Sequence, residues 1–205
     1  MNEFDIKASE WDKNQMHWDR SAAIAGEIMK HIPLKPWFKT MEYGAGTGIL
    51  SFILKDHLNE ILLLDNSSGM IKQADEKIRA TATKNIRTRL FDLEHSDLDG
   101  EKFDLIYTLM VLHHVDDVAS IIKRFRKLLN PGGFLAIADL YEEDGSFHGE
   151  GFTGHKGFNL DNLTSLVSDA GFLDISHRKC FIIKRTTEEN KTKEFDVFLL
   201  TAVIP

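Results

Sequence analysis

Cysteine is almost absent: the 205 residues hold one, Cys180, so no internal disulfide and no thiolate cluster can form. That usage fits a reducing compartment, and a cytoplasmic location is expected. The start, MNEFDIKASEWDKN, mixes acids with its lysines and lacks the apolar stretch of a secretory signal. No apolar run approaches the roughly 20 residues that span a bilayer, so no membrane partner is expected. Positive charge is short as well, with 25 Lys and Arg against 32 Asp and Glu and a net charge of −7. No general basic field exists to draw in a phosphate backbone, and no nucleic-acid partner is expected. Of the short basic clusters, KRFRK at 123–127 sits opposite an apolar helix face and reads as solvated surface; the other is HRK at 177–179. No repeat, low-complexity tract or Pro/Gly/Ser linker divides the chain. One domain over 1–205 is expected, long enough to bury roughly 70% of the surface its unfolded form exposes.

Hydrophobic spacing orders what is present. Ile24, Ile28 and Ile32 recur at helical spacing ahead of Pro33 and Pro36, which predicts an N-terminal helix ending in a turn. Residues 1–35 are read as a helical cap and 36–205 as the core. KTMEY reads as a strand, ILSFILKDHL as a helix and ILLLD as a short buried strand, and Ser67 or Ser68 can cap a helix carrying Met70, Ala74 and Ile78 on one face. IRTRLFDL and FDLIYTLMV are further strands. Val118, Ile121, Ile122, Phe125, Leu128 and Leu129 form a stripe of period 3.6, ended by NPGG before the strand FLAIADL. Leu160, Leu163, Leu166, Val167 and Ala170 mark another helix, closed by Gly171, and LDISHRKCFIIK and EFDVFLLTAV can pair as an antiparallel hairpin, which puts Cys180 on a strand. The predicted fold is α/β: an open, seven-stranded, mostly parallel sheet with one antiparallel strand, helices on both faces and the N-terminal helical cap. Ligands of such sheets bind at the carboxyl ends of the strands, where strand order switches.

The glycines of MEYGAGTGIL fall at such an end. Gly44, Gly46 and Gly48 can adopt positive φ and let a ligand approach the main chain at a helix N-terminus. Spacing alone leaves the ligand open. The dinucleotide fingerprint needs a small residue where this chain has Ile49, so a nicotinamide reading lacks one element. The pattern E-x-G-x-G-x-G from Glu42 to Gly48 resembles motif I of the class I S-adenosylmethionine-dependent methyltransferases. ILLLD ends in Asp65, RLFDLE supplies Asp92 and Leu93, and FDLIYTLMVLHHV followed by LNPGGFLAIADL is similar to that family's fourth strand, helix and fifth-strand entry, especially in its small-molecule branch. The resemblance covers about residues 36–205. It implies a Rossmann-like core, S-adenosyl-L-methionine as methyl donor, S-adenosyl-L-homocysteine as product and a small-molecule acceptor. It also implies a cofactor site made of Glu42, Tyr43, Gly44, Ala45, Gly46, Gly48, Asp65, Asn66, Met70, Asp92, Leu93, Thr108, Leu109 and His113. Asp65 suits the ribose hydroxyls, and Asp92 with the Leu93 main chain suits adenine. The residues themselves leave other roles open. Asp65 can be a helix N-cap or a surface acid, Asp92 a loop acid like Asp97 and Asp99, and Glu42 can order the first loop or approach the cofactor's amino group. Asp104, at the start of its strand, reads as structural.

Nine histidines raise the question of metal or acid/base chemistry. On a helix His113 and His114 would point about 100° apart, so no metal site is expected. Metal-dependent catechol-type methyltransferases place an aspartate beyond the fourth strand, where this chain has Thr108, Leu109 and Met110. The N/D-P-P-Y/F segment of nucleobase amino-methylating enzymes, the Pro-Cys of cytosine C5 enzymes and the several cysteines of arsenic methylation are all missing. What remains is YEEDGSFHGEGFTGHKGFN at 141–159, longer than the roughly 12–15 residues of a featureless loop. The resemblance implies that this loop and the N-terminal segment cover the acceptor pocket. Its Tyr141, Phe147, Phe152 and Phe158, like Phe4, Trp11 and Trp18, can either face a ligand or pack beneath a loop. His114, His148 and His155 are candidate general bases, with surface or packing roles as the alternative for each. Two other functions stay open: a cofactor-binding module without turnover and a nicotinamide-dependent oxidoreductase. Oligomeric state leaves no mark in the sequence.

Overall fold

The computed structural model describes residues 3–186 and 191–205. Among them, β1 (Lys39–Tyr43), β2 (Glu60–Asp65), β3 (Ile86–Leu90), β4 (Phe103–Leu109), β5 (Leu129–Leu140), β6 (Leu173–Thr186) and β7 (Thr192–Val203) form one seven-stranded sheet in the order β3-β2-β1-β4-β5-β7-β6. Neighbours from β3 to β5 are parallel, and β7 runs antiparallel to both β5 and β6. One strand is therefore reversed, as expected.

The period-2 alternation of the strands decides which side chains meet which helices. Met41, Leu62, Leu64, Ile106 and Leu135 join the buried cluster containing α5 (Val118–Leu128) and α6 (Leu160–Asp169). Ile61, Leu63, Leu105, Tyr107 and Ala136 join the cluster that holds α2 (Gln15–His31), α3 (Ile49–Leu54) and Ala74 of α4 (Ser68–Ala80). Both faces are covered, which accounts for the near-continuous apolar runs of the central strands. Asp104 is structural, accepting from the Lys39 N–H and the Asn130 side chain, both at 2.8 Å.

Helix starts follow capping chemistry. The Ser67 hydroxyl accepts from the Met70 N–H, and Asp117 and Asn159 do the same for α5 and α6. The stripe Val118, Ile121, Ile122, Phe125 and Leu128 is buried, but Leu129 belongs to β5 and not to the helix. Pro131 disfavours helical geometry at Asn130, and Leu129 pairs instead with Phe103.

The N-terminus holds two helices where periodicity predicts one. α1 (Glu3–Trp11) buries only Ala8, so it carries no apolar stripe to announce it. It is held by polar contacts: the Asp5 carboxylate accepts from the Ser67 hydroxyl at 2.7 Å and the Gly69 N–H at 2.8 Å, at the start of α4. Asp12, in the turn before α2, accepts from the Thr47 hydroxyl and pairs with Lys77, each at 2.5 Å. The order of the sheet switches between β1 and β4, and the glycine loop after β1 lies there beneath these N-terminal contacts.

Candidate active site

All three loop glycines take left-handed geometry, with φ of 64° at Gly44, 54° at Gly46 and 78° at Gly48. They use their missing Cβ differently. A methyl group on Gly44 would overlap the Val111 side chain, and one on Gly48 would lie 2.6 Å from Leu63. On Gly46 it would meet only the Met70 sulfur, at 3.8 Å. Gly46 alone keeps bare main chain turned toward open space.

Asp65, closing β2, accepts the Gly46 N–H at 2.7 Å and the Ser67 N–H at 2.8 Å on separate oxygens. Burial pushes its pKa up, and the N–H groups of Ser67, Gly46 and Asn66 pull it back. Ser67, not Asp65, caps α4, and Asp65 is not an exposed acid. Each of its oxygens retains a lone pair for another donor. Glu42 is 4% exposed and accepts from both the N–H and the hydroxyl of Ser51, which also bonds the Tyr107 hydroxyl. Burial raises the Glu42 pKa to about 8, against the opposing bonds from Ser51. At Asp92, partial burial is outweighed by the His95 ring and the Glu94 N–H, which hold the carboxyl below its ordinary range.

These groups line a cavity of about 880 Å³ at the switch point. Of the residues expected at the cofactor, Glu42, Tyr43, Gly44, Ala45, Gly46, Asp65, Asn66, Met70, Asp92, Leu93, Leu109 and His113 reach its wall. Gly48 and Thr108 do not: Gly48 serves as the N-cap position of α3, and Thr108 is buried with a hydroxyl that has no hydrogen-bond partner among the described residues.

The expected divergence of His113 and His114 does not hold. His113 and His114 occupy a single 3₁₀ turn, Leu112–His114, and their rings lie 4.2 Å apart between centroids. His148, from the 141–159 loop, stacks on Phe152 and approaches the two rings to 5.0 and 5.2 Å. One ring nitrogen from each of the three lies within 4.8 Å of the other two. Helical divergence fixes only the Cα–Cβ directions; side-chain torsions bring the neighbouring imidazoles back together, and a lone turn imposes no α-helical spacing. Burial and neighbouring rings push His114 and His148 each down to about 4, so both are neutral and weakly basic at neutral pH. His155 stays off the cavity wall. Its ring bonds the Val115 carbonyl at 3.0 Å and its N–H donates to the His113 carbonyl at 2.8 Å, fastening the loop to the histidine turn.

The aromatics divide in the same way. Phe147, Phe4 and Trp11 face the cavity, whereas Tyr141 and Phe158 pack on Phe198, and the Trp18 indole N–H donates to the Asp12 carbonyl.

Two residues were not foreseen. Arg20 of α2 is 7% exposed on the cavity wall, and its Nε has no hydrogen-bond partner among the described residues. Burial lowers its pKa to about 10, with the Asp139 charge opposing. The signal was present, because Arg20 stands four residues before Ile24 and so puts a cation on the apolar stripe. Asp139, at the end of β5, is fully buried and bonds the His113 ring.

A doubly wound sheet with a glycine turn after β1, an acid closing β2 and a cavity at the switch point defines a Rossmann-like ligand-binding fold. A methyltransferase-domain family profile matches residues 41–135. A methyltransferase of Schizosaccharomyces pombe is 28% identical over 66% of this chain and 54% of its own length. A chain from the complex between a Haloferax volcanii methyltransferase activator and a methyltransferase superposes with a TM-score of 0.78 at 18% identity, covering 100% of this chain and 99% of that one. Phosphoethanolamine N-methyltransferase 2 of Haemonchus contortus, solved with phosphomonomethylethanolamine and S-adenosylhomocysteine, gives 0.70 at 15% identity over 92% and 53%. The chain is thus similar to the class I S-adenosylmethionine-dependent methyltransferases, through a methyltransferase-domain match over residues 41–135 and a shared fold. The match spans 54% of the length of the Schizosaccharomyces pombe relative and 52% of that of a Deinococcus radiodurans trans-aconitate 2-methyltransferase, so these curated relatives are about twice as long as the matched region. No helix among the described residues is long and apolar enough to cross a membrane.

Proposed function

We propose that this chain transfers a methyl group from S-adenosylmethionine to a small-molecule acceptor held in the same cavity. The observation that carries the reading is Asp65, set beside the one loop glycine that faces open space. The remaining lone pairs of Asp65 suit the two ribose hydroxyls, and Asp92 with the Leu93 main chain suits adenine. Arg20 offers a buried guanidinium with an orphaned Nε, a costly arrangement that an anionic carboxylate relieves. The cofactor's amino-acid end has such a carboxylate. When bound, the cofactor supplies an activated methyl group on a sulfonium centre and a neutral leaving group.

The chain's own part is to position and to exclude water. Phe4, Trp11 and Phe147 give the cavity an apolar wall. His114 and His148 can accept a hydrogen bond from an acceptor but are too weakly basic to draw off its proton strongly. Residues 1–35 act as a cap over a 36–205 core. The cavity falls within the roughly 300–1,000 Å³ of small-molecule sites, so a bound cofactor leaves room only for a small second ligand. The half-buried Cys180 thiol, pushed up to about 12 by its burial, is unreactive.

Calorimetry should register S-adenosylmethionine and S-adenosylhomocysteine and give no comparable signal with NAD. Labelled methyl should pass into small molecules of a metabolite extract and not into protein or nucleic acid. Cofactor binding without transfer to any fraction would reduce the chain to a binding module; NAD binding alone would refute the cofactor.

A further inference from the structure

We infer that His113, His114 and His148 form a site for a divalent transition metal of the zinc type, with an open coordination position on the cavity. The inference goes beyond methyl transfer and does not depend on it.

The geometry is that of a ligand set slightly relaxed. One nitrogen of each ring lies within 4.8 Å of the others, and zinc–nitrogen bonds of about 2.0–2.1 Å require tetrahedral ligands about 3.4 Å apart. Small side-chain rotations would close that difference.

The surroundings are those of a metal ligand. His113 is 1% exposed, and its Nδ1 is bound at 2.6 Å to Asp139, which is wholly buried. A carboxylate on Nδ1 fixes the tautomer and leaves Nε2 as the free nitrogen, the outer-partner arrangement that metal-bound histidines use. The His148 Nε2 is buried with no hydrogen-bond partner among the described residues, although a buried polar atom without one is costly. A metal bond removes that cost. The loop is anchored on the same turn, since the His155 N–H donates to the His113 carbonyl, so His148 is delivered to this place by main-chain contacts and not by chance collapse.

The donor set selects the ion. Three imidazole ligands suit zinc, cobalt or nickel and not magnesium, which prefers oxygen ligands. Three protein ligands leave a fourth position, as in catalytic zinc sites, and the uncancelled +2 charge of the ion attracts an anionic oxygen. A metal held there would bind the anionic oxygen of a ligand such as a carboxylate or an enolate.

The test uses the full chain, stripped with a chelator. Co²⁺ should bind at one equivalent with the intense visible bands of a low-coordinate site, Zn²⁺ should displace it, and Mg²⁺ should not. His114→Gln and His148→Gln should each weaken Zn²⁺ binding by about 100-fold or more, at or above what loss of an outer partner causes. His177→Gln, altering an exposed histidine of β6, should bind as wild type does. No binding by the stripped protein, or binding that both cavity variants retain, overturns the site. Calorimetry with S-adenosylhomocysteine on His148→Gln keeps the two readings apart, because cofactor binding should persist where metal binding is lost.

Discussion

Asp139 and His113 hold each other in a space closed to water: the carboxylate takes the ring Nδ1 at 2.6 Å on one oxygen and the His113 main-chain N–H at 3.3 Å on the other. The Leu140 N–H adds a third bond at 2.7 Å, and the charge on Asp139 also supports the buried Arg20 guanidinium. Asp139→Asn presents an amide N–H₂ to one of these donors and removes the negative charge. Its unfolding free energy should fall by about 1–3 kcal/mol, read from urea titrations. An unchanged midpoint would mean that no charged partner holds the ring.

Asp65→Ala removes charged hydrogen bonds expected at the cofactor. S-adenosylhomocysteine affinity should drop by about 1.5–3 kcal/mol, or roughly 10- to 150-fold, in calorimetry on folded protein. An affinity equal to wild type would leave Asp65 with only its role of fixing the Gly46 loop.

Glu42 predicts a dependence on pH. Its folded pKa is raised to about 8 by burial, so between the ordinary carboxylate range and about 8 the native state keeps a proton that the unfolded chain releases. Stability from this group is therefore fully present at acid pH and is lost as pH rises through about 8, by at most about 1.4 kcal/mol per pH unit. Ser51 and Lys77 oppose the shift, Asp65 adds to it, and Tyr107 lies against the same Ser51 hydroxyl. Glu42→Gln, neutral throughout, should flatten the urea midpoint across this window. A variant that keeps the full wild-type slope would assign the slope to another group.

Ile122 belongs to the packing of α5 and not to the site. Ile122→Ala should cost about 2–5 kcal/mol of stability while leaving cofactor affinity per folded molecule unchanged. A selective loss of binding without destabilisation would contradict that placement.

The sheet was legible because each central strand is a short apolar run bounded by turn residues, and α5 because its stripe is complete. α1 was not legible, since Asp5 and Asp12 hold the N-terminus through contacts with Ser67, Gly69, Thr47 and Lys77 that no periodicity encodes. At the site, Asp65 could be read from its position closing an apolar strand. The convergence of His148 on His113 and His114 could not, because it depends on how a glycine-rich loop folds back onto a distant turn. Gly48 and Thr108 failed to reach the cavity because membership of a motif or strand does not say which way the backbone turns a residue.

Val111 fills the space that Gly44 leaves, so the turns after β1 and β4 interlock across the switch point. The two positions therefore form one unit of variation. Among relatives, any side chain at 44 demands a smaller residue at 111, and a bulkier residue at 111 makes glycine at 44 harder to replace. Sequence covariation between these two sites would reflect packing, even though both lie in stretches ordinarily scanned for ligand contacts.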